Sequence, residues 1–121
     1  MILIDSNTVI YGSQPGYQYL QDYLAAHTLA ISKITLVEVL GYHALQSSEE
    51  VKLDQMLAIC HQYDVSNPIL RKAIHLRQRK KMSLGDSIIP ATAQHHQLLL
   101  VSANESDFSG IPDLRLHNPI Q

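Results

Sequence analysis

The sequence predicts an α/β domain: a central parallel sheet of four to five strands with helices on both faces. Three observations carry this expectation. Ile2-Leu3-Ile4, Leu29-Ala30-Ile31 and Leu98-Leu99-Leu100-Val101 are short, wholly apolar runs, which suit strands buried on both faces. Segments with apolar residues at helical spacing lie between those runs. Strand–helix alternation of this kind favours parallel pairing with the connecting helices packed over the sheet. At 121 residues without repeat or linker, the chain is expected to form one domain over 1–121.

Each element has its own signal. The first strand, Ile2-Leu3-Ile4, ends at the polar break Asp5-Ser6-Asn7. Pro15-Gly16 marks a turn, after which Leu20, Tyr23, Leu24 and His27 recur at helical spacing. Leu29-Ala30-Ile31 is the second strand. Thr35-Leu36-Val37-Glu38 fits a capping box, predicting a helix that runs to about Leu45. Ser47-Ser48-Glu49-Glu50 opens another, with Leu53, Met56, Leu57 and Cys60 as its apolar stripe. Tyr63-Asp64-Val65 is a third candidate strand. Asn67-Pro68 reads as an N-cap followed by proline at the first helical position. The helix behind it is expected to bury Ile69, Leu70, Ala73 and Ile74 and to end in Arg79-Lys80-Lys81, cations suited to a helix C-terminus. Ser83-Leu84-Gly85-Asp86 introduces a helix over roughly 87–96. Leu98–Val101 is the strongest strand signal, Asp107 follows it in a loop, and Asp113-Leu114-Arg115-Leu116 is a weak last strand.

Composition excludes several classes. Hydrophobic residues make up 45% and charged residues 17%, which is the balance of a folded domain and not of a disordered or acidic-tail chain. One cysteine, Cys60, rules out an internal disulfide framework and a cysteine zinc cage. No apolar run approaches a membrane span, and the N-terminus shows no basic leader. A soluble, reduced, cytoplasmic domain is the expectation. Net charge is −2, so the chain as a whole is no polycation. Its halves differ, however: residues 1–64 carry a net −5 and residues 65–121 a net +3. Arg71, Lys72, Arg77, Arg79, Lys80 and Lys81 form a local basic stripe. Such a stripe grips phosphates or is simply a solvated helix face.

Four carboxylates stand in positions that need an explanation. In an open parallel sheet, sites form beyond the carboxyl ends of the strands. Asp5 lies at that end of the first strand and Asp107 follows the strongest one. Asp86 begins a helix, and Glu38 sits among Leu36, Val37, Val39 and Leu40. A carboxylate among apolar neighbours is unfavourable unless paired. Oxygen-only ligands favour Mg²⁺ or Mn²⁺ over zinc. Each residue also has an ordinary structural reading: a strand end, a capping box with Thr35, an N-cap, an Asx turn. Spacing alone does not show that the four converge.

The ordered blocks resemble the PIN domain, and within it the VapC-type toxins of toxin–antitoxin pairs. They are Ile2 to Asn7; ISKITLVEVLG from Ile31 to Gly41; AIHLR from Ala73 to Arg77; LGDSIIPATA from Leu84 to Ala93; LLVSANESDF from Leu99 to Phe108; and the ending Leu116-His117-Asn118-Pro119. The resemblance implies a PIN-like three-layer domain and a metal-dependent endoribonuclease. It implies a catalytic quartet of Asp5, Glu38, Asp86 and Asp107. Asp5, Asp86 and Asp107 would be the ligands of Mg²⁺ (or Mn²⁺), with Asp5 and Asp86 foremost. Glu38 and Asp107 would bind the metal or its waters, or orient the attacking water. Asn7, Ser102 and Asn104 match polar family positions that brace such ligands. An RNA substrate, a VapB-like antitoxin and a homodimer are the implied partners. Pro90 departs from the family, which commonly has Ala there. A proline deep in a helix kinks it, so a late start with Asp86 as N-cap is expected.

The remaining candidates are weaker. Arg77 falls among Leu70, Ala73 and Ile74 on a helical wheel, so an ion pair with a carboxylate is expected. Adjacent helical residues point about 100° apart, which makes His95 and His96 poor joint ligands. Cys60 reads as packing. Tyr17, Tyr19 and Tyr23 read as packing or as base-stacking groups. Two rival functions are a PIN nuclease of RNA processing with no toxin role and a non-catalytic binding or phosphoacceptor module. The phosphoacceptor reading lacks the lysine wanted after the last strong strand, where Ser102-Ala103-Asn104 stands.

Overall fold

The computed structural model describes residues 1–120, so Gln121 of the expected 1–121 domain lies outside the described residues. The elements in chain order are β1 (Ile2–Ile4), α1 (Ser6–Gly12), α2 (Gln18–Ala25), β2 (Leu29–Ser32), α3 (Ile34–Leu40) and α4 (Ser47–Ala58). They continue with β3 (His61–Tyr63), α5 (Asn67–Arg79), α6 (Leu84–His96), β4 (Leu99–Val101), α7 (Glu105–Phe108) and β5 (Leu116–His117). Every strand pairing is parallel, and the sheet order is β3-β2-β1-β4-β5. No helix among the described residues is long and apolar enough to cross a membrane.

The apolar runs are continuous because both faces of the sheet are covered. Ile2, Ile4, Leu29, Ile31 and Val101 point into one core with Val9 of α1, Leu20 and Leu24 of α2, Val39 of α3, and Leu53 and Leu57 of α4. Their alternate neighbours Leu3, Ala30 and Leu100 point into the other, with Ile69 and Ala73 of α5, Ile88 and Ile89 of α6, and Phe108 of α7. Strand periodicity therefore splits each run between two cores.

Several boundaries differ from expectation. Asp5-Ser6-Asn7 does not open a loop: Asp5 caps α1 directly. The Thr35–Glu38 capping box does not form. α3 begins at Ile34, where the Ser32 hydroxyl accepts the Ile34 amide at 3.3 Å, and it stops at Leu40 ahead of Gly41. Ser66, not Asn67, stands at the N-cap position of α5, and its hydroxyl makes no capping hydrogen bond. That helix buries Ile69, Ala73 and Leu76, while Leu70 and Ile74 are exposed. Its face is thus turned from the one expected, because Leu76 takes the place in the core that was assigned to Ile74. The residues Glu105–Phe108, read as loop, form α7. The third strand covers His61–Tyr63, and the last is Leu116–His117 in place of 113–116.

The helix bearing Asp86 starts early. Ser83 is its N-cap, with the Ser83 hydroxyl accepting the Asp86 amide at 3.1 Å. Asp86 therefore lies in the first turn and Pro90 inside the helix. The proline has no N–H to give the Asp86 carbonyl, yet the serine cap holds the start of the helix in place.

Candidate active site

β1 lies between β2 and β4, so the chain leaves it first to one side and later to the other. That makes the crevice between β1 and β4 the topological switch point, where open α/β sheets hold their ligands. Register fixes what lies there. Ile4 pairs with Val101, so the next residues, Asp5 and Ser102, meet at the carboxyl edge. The buried Ser102 hydroxyl donates to Asp5 Oδ2 at 2.5 Å. Asp5 Oδ1 accepts the Thr8 amide at 2.9 Å and the Thr8 hydroxyl at 2.5 Å. Asp5 is 5% exposed, and its partners are neutral donors: Thr8 in the first turn of α1, a place that suits an anion, and Ser102 after β4.

The loop after β4 continues the network. The Asn104 amide donates to Ser102 Oγ at 2.9 Å, and Asn104 Nδ2 donates to Asp107 Oδ2 at 2.9 Å. On the other side, the Ser6 hydroxyl donates to Glu38 Oε1 at 2.6 Å and lies 3.4 Å from the Thr35 hydroxyl. Glu38 then passes over the first turn of α6: a Cβ on Gly85 would stand 2.2 Å from Glu38 Oε2. Glu38 is thus set against the residue preceding Asp86. Burial pushes the Asp86 carboxyl above its ordinary value; a hydrogen bond from Ser83 opposes this, and the charges of Asp107 and Asp5 raise it further.

The fold therefore brings Asp5, Glu38, Asp86 and Asp107 to one edge. Ser102 and Asn104 join them through hydrogen bonds to Asp5 and Asp107, whereas Asn7 is exposed on α1 and stands outside the network. Sequence reasoning passed over Ser6, Thr8, Ser83 and Gly85. The signal was present for two of them: a hydroxyl three residues after Asp5, and a serine three before Asp86. Among the described residues, no three His, Cys, Asp or Glu side chains converge tightly enough to hold one ion as they stand. In kind, the donors fit a hard dication. They are all oxygens, and the single ion pair among the described residues, Lys33–Asp64 at 2.7 Å, lies elsewhere.

Among the described residues Arg77 makes no ion pair of the kind expected of it. Arg77 is exposed and donates through Nε to the Met82 carbonyl at 3.4 Å, because the flank it shares with Leu70 and Ile74 faces solvent. Arg79, Lys80 and Lys81 are exposed beside it. His96 stacks on Tyr63 at 3.8 Å and meets His95 edge-on, a packing role. Tyr17 stacks on Tyr11, and Tyr23 lies against His27 and His117. Cys60 is buried, and burial pushes its thiol up to about 11.

An open parallel sheet with acidic side chains gathered at its switch point defines the class of molecule. The PIN domain family model matches residues 2–114, and the chain belongs to that family. Among solved structures, a toxin–antitoxin complex from Klebsiella pneumoniae shares 34% identity, with 98% of each chain covered and a TM-score of 0.80. VapBC2 from Rickettsia felis, bound to a DNA fragment from its promoter, shares 26% identity over 98% of each chain, with a TM-score of 0.80. VapC20 from Mycobacterium tuberculosis, a sarcin–ricin loop cleaving toxin, has a TM-score of 0.71 over 95% of this chain and 99% of its own. At 14% identity that likeness is one of fold. A search of curated proteins finds no match.

Proposed function

We propose that this chain is a VapC-type endoribonuclease, the toxin of a toxin–antitoxin pair, which cleaves RNA phosphodiesters with Mg²⁺ or Mn²⁺. The observation that carries the reading is the gathering of Asp5, Glu38, Asp86 and Asp107 at the carboxyl edge of the sheet, with no cation paired to them among the described residues. Such a group of acids is unfavourable by itself; the Asp86 carboxyl is raised first by burial and then by the charges of Asp107 and Asp5, and a dication would relieve both. The 34%-identical Klebsiella toxin–antitoxin complex supports a VapB-like antitoxin as partner. A homodimer and a cytoplasmic location belong to the same reading.

Asp5, Asp86 and Asp107 would hold the metal. When bound, the ion lowers the pKa of water and sets positive charge against the reacting phosphate. Asp5 is the fixed member, clamped by Thr8 and Ser102. Asn104 aims Asp107. Glu38 is exposed and hydrogen-bonded by Ser6, and its other oxygen would take a proton from the attacking water. Arg77, Arg79 and Lys81 would meet RNA phosphates along the rim. The PIN match leaves the phosphoacceptor alternative without support.

The test is cleavage of structured RNAs by the purified chain in Mn²⁺ or in EDTA. Cleavage is expected only with the metal, and Asp5→Asn should abolish it. Cleavage in EDTA, or undiminished cleavage by Asp5→Asn, would overturn the reading.

A further inference from the structure

The last turn of α5 reaches the acidic edge without ending on a carboxylate. Lys80 Nζ lies 3.3 Å from the carbonyl oxygens of both Ser106 and Asp107. Those carbonyls belong to α7, which at four residues is too short to satisfy its own acceptors. The Glu105 carbonyl takes the Ser109 amide at 2.8 Å, and the Phe108 carbonyl takes the Ile111 amide at 3.1 Å. The two carbonyls between them are the ones that Lys80 takes. A cation at the carbonyl end of a helix also complements its dipole.

Asp107 is thus held from two sides. Its carboxylate accepts Asn104 Nδ2 at 2.9 Å, while its own carbonyl is fixed by Lys80. Arg77, three residues earlier on α5, donates to the Met82 carbonyl, just ahead of the Ser83 cap and Asp86. One helical turn therefore anchors both segments that carry Asp107 and Asp86. The sequence left Lys80 as either a phosphate contact or part of a solvated helix face. The geometry assigns it differently: we propose that Lys80 is a positioning residue, which closes α7 and so sets the Asp107 carboxylate toward Asp86 and Asp5.

The catalytic part of this inference rests on the ribonuclease reading; the structural part does not. Both are tested on the full chain with Lys80→Met and Lys80→Arg. In the metal-free protein, Lys80→Met should speed hydrogen exchange at the Ser109 and Ile111 amides by about tenfold, as loss of a charge-assisted hydrogen bond implies. Exchange within α5 should be unchanged, and Lys80→Arg, which still donates to carbonyls, should restore the slow rate. In the RNA assay with Mn²⁺, Lys80→Met should lower kcat by about tenfold with KM unchanged, and Lys80→Arg should recover most of it. Unaltered exchange in Lys80→Met overturns the proposal. So does a raised KM with unchanged kcat, the mark of a phosphate contact. A wild-type chain that cleaves no RNA defeats the ribonuclease reading alone, and the exchange rates still decide the role of Lys80.

Discussion

Asp5 shows how much one side chain accomplishes here. It ends β1, caps α1 and accepts three hydrogen bonds, so its carboxylate is fixed before any ligand arrives. Glu38 is the opposite case: exposed, and aimed only by Ser6 and by the space over Gly85. That space makes a sharp prediction. In Gly85→Ala the new methyl would stand 2.2 Å from Glu38 Oε2, so Glu38 has to swing away. Cleavage should fall by about 100-fold, the scale of an ångström-sized misplacement. Stability should hold or rise slightly, since Ala is favoured over Gly within a helix by about 0.5–1 kcal/mol. Parallel melting and cleavage measurements check this; unchanged cleavage would show that Glu38 needs no such space. The four carboxylates were legible as a set only through the ordered blocks that resemble the PIN domain; by itself the sequence marked Glu38 as an acid among apolar residues and Asp5 as a strand end. Of the supporting hydroxyls, Ser102 was named in the sequence, Thr8 and Ser83 left only their spacing from Asp5 and Asp86, and Ser6 left no signal, being of a type that any turn contains.

The helices show where local signals mislead. α5 carries apolar residues around much of its circumference, and the pattern alone did not say which of them face the core. Ile69 is fully buried whereas Ile74 is 51% exposed. Ile69→Ala should therefore destabilise the fold by about 2–5 kcal/mol, and Ile74→Ala by no more than about 0.5 kcal/mol. Denaturant unfolding of the two variants distinguishes this face from the one expected from the wheel; equal losses would restore the original face. β1, β2 and β4 were readable because burial on both sheet faces leaves an unbroken apolar run. α1 and α7 were not: each is short, and Asp5-Ser6-Asn7 and Asn104-Glu105-Ser106 are residues common to turns and helix starts alike. Pro90 argued for a late start to α6, but the Ser83 cap outweighed it.

At the scale of the whole molecule, the acidic edge is a place where folding works against electrostatics. Burial, Asp107 and Asp5 raise the Asp86 carboxyl, so the folded chain binds its proton more tightly than the unfolded chain does. Stability should then fall as pH rises from the ordinary carboxylate range through the raised value, and stay lowered above it. Asp86→Asn should accordingly melt higher than wild type at neutral pH without metal, with the gap closing in acid. Melting curves across that range check the sign, and a lower melting temperature for Asp86→Asn at neutral pH would refute it. Parallel pairing follows from the alternation of elements, whereas the sheet order and the Ile4–Val101 register, on which the meeting of Asp5 and Ser102 depends, are displayed only by the folded chain. The division of the apolar interior by the sheet has a further result. Glu38 rides on a helix seated on one side, through Val39, while Asp86 and Asp107 ride on helices seated on the other, through Ile88 and Phe108. The quartet is therefore complete only when both apolar clusters have formed, one on each side of the sheet.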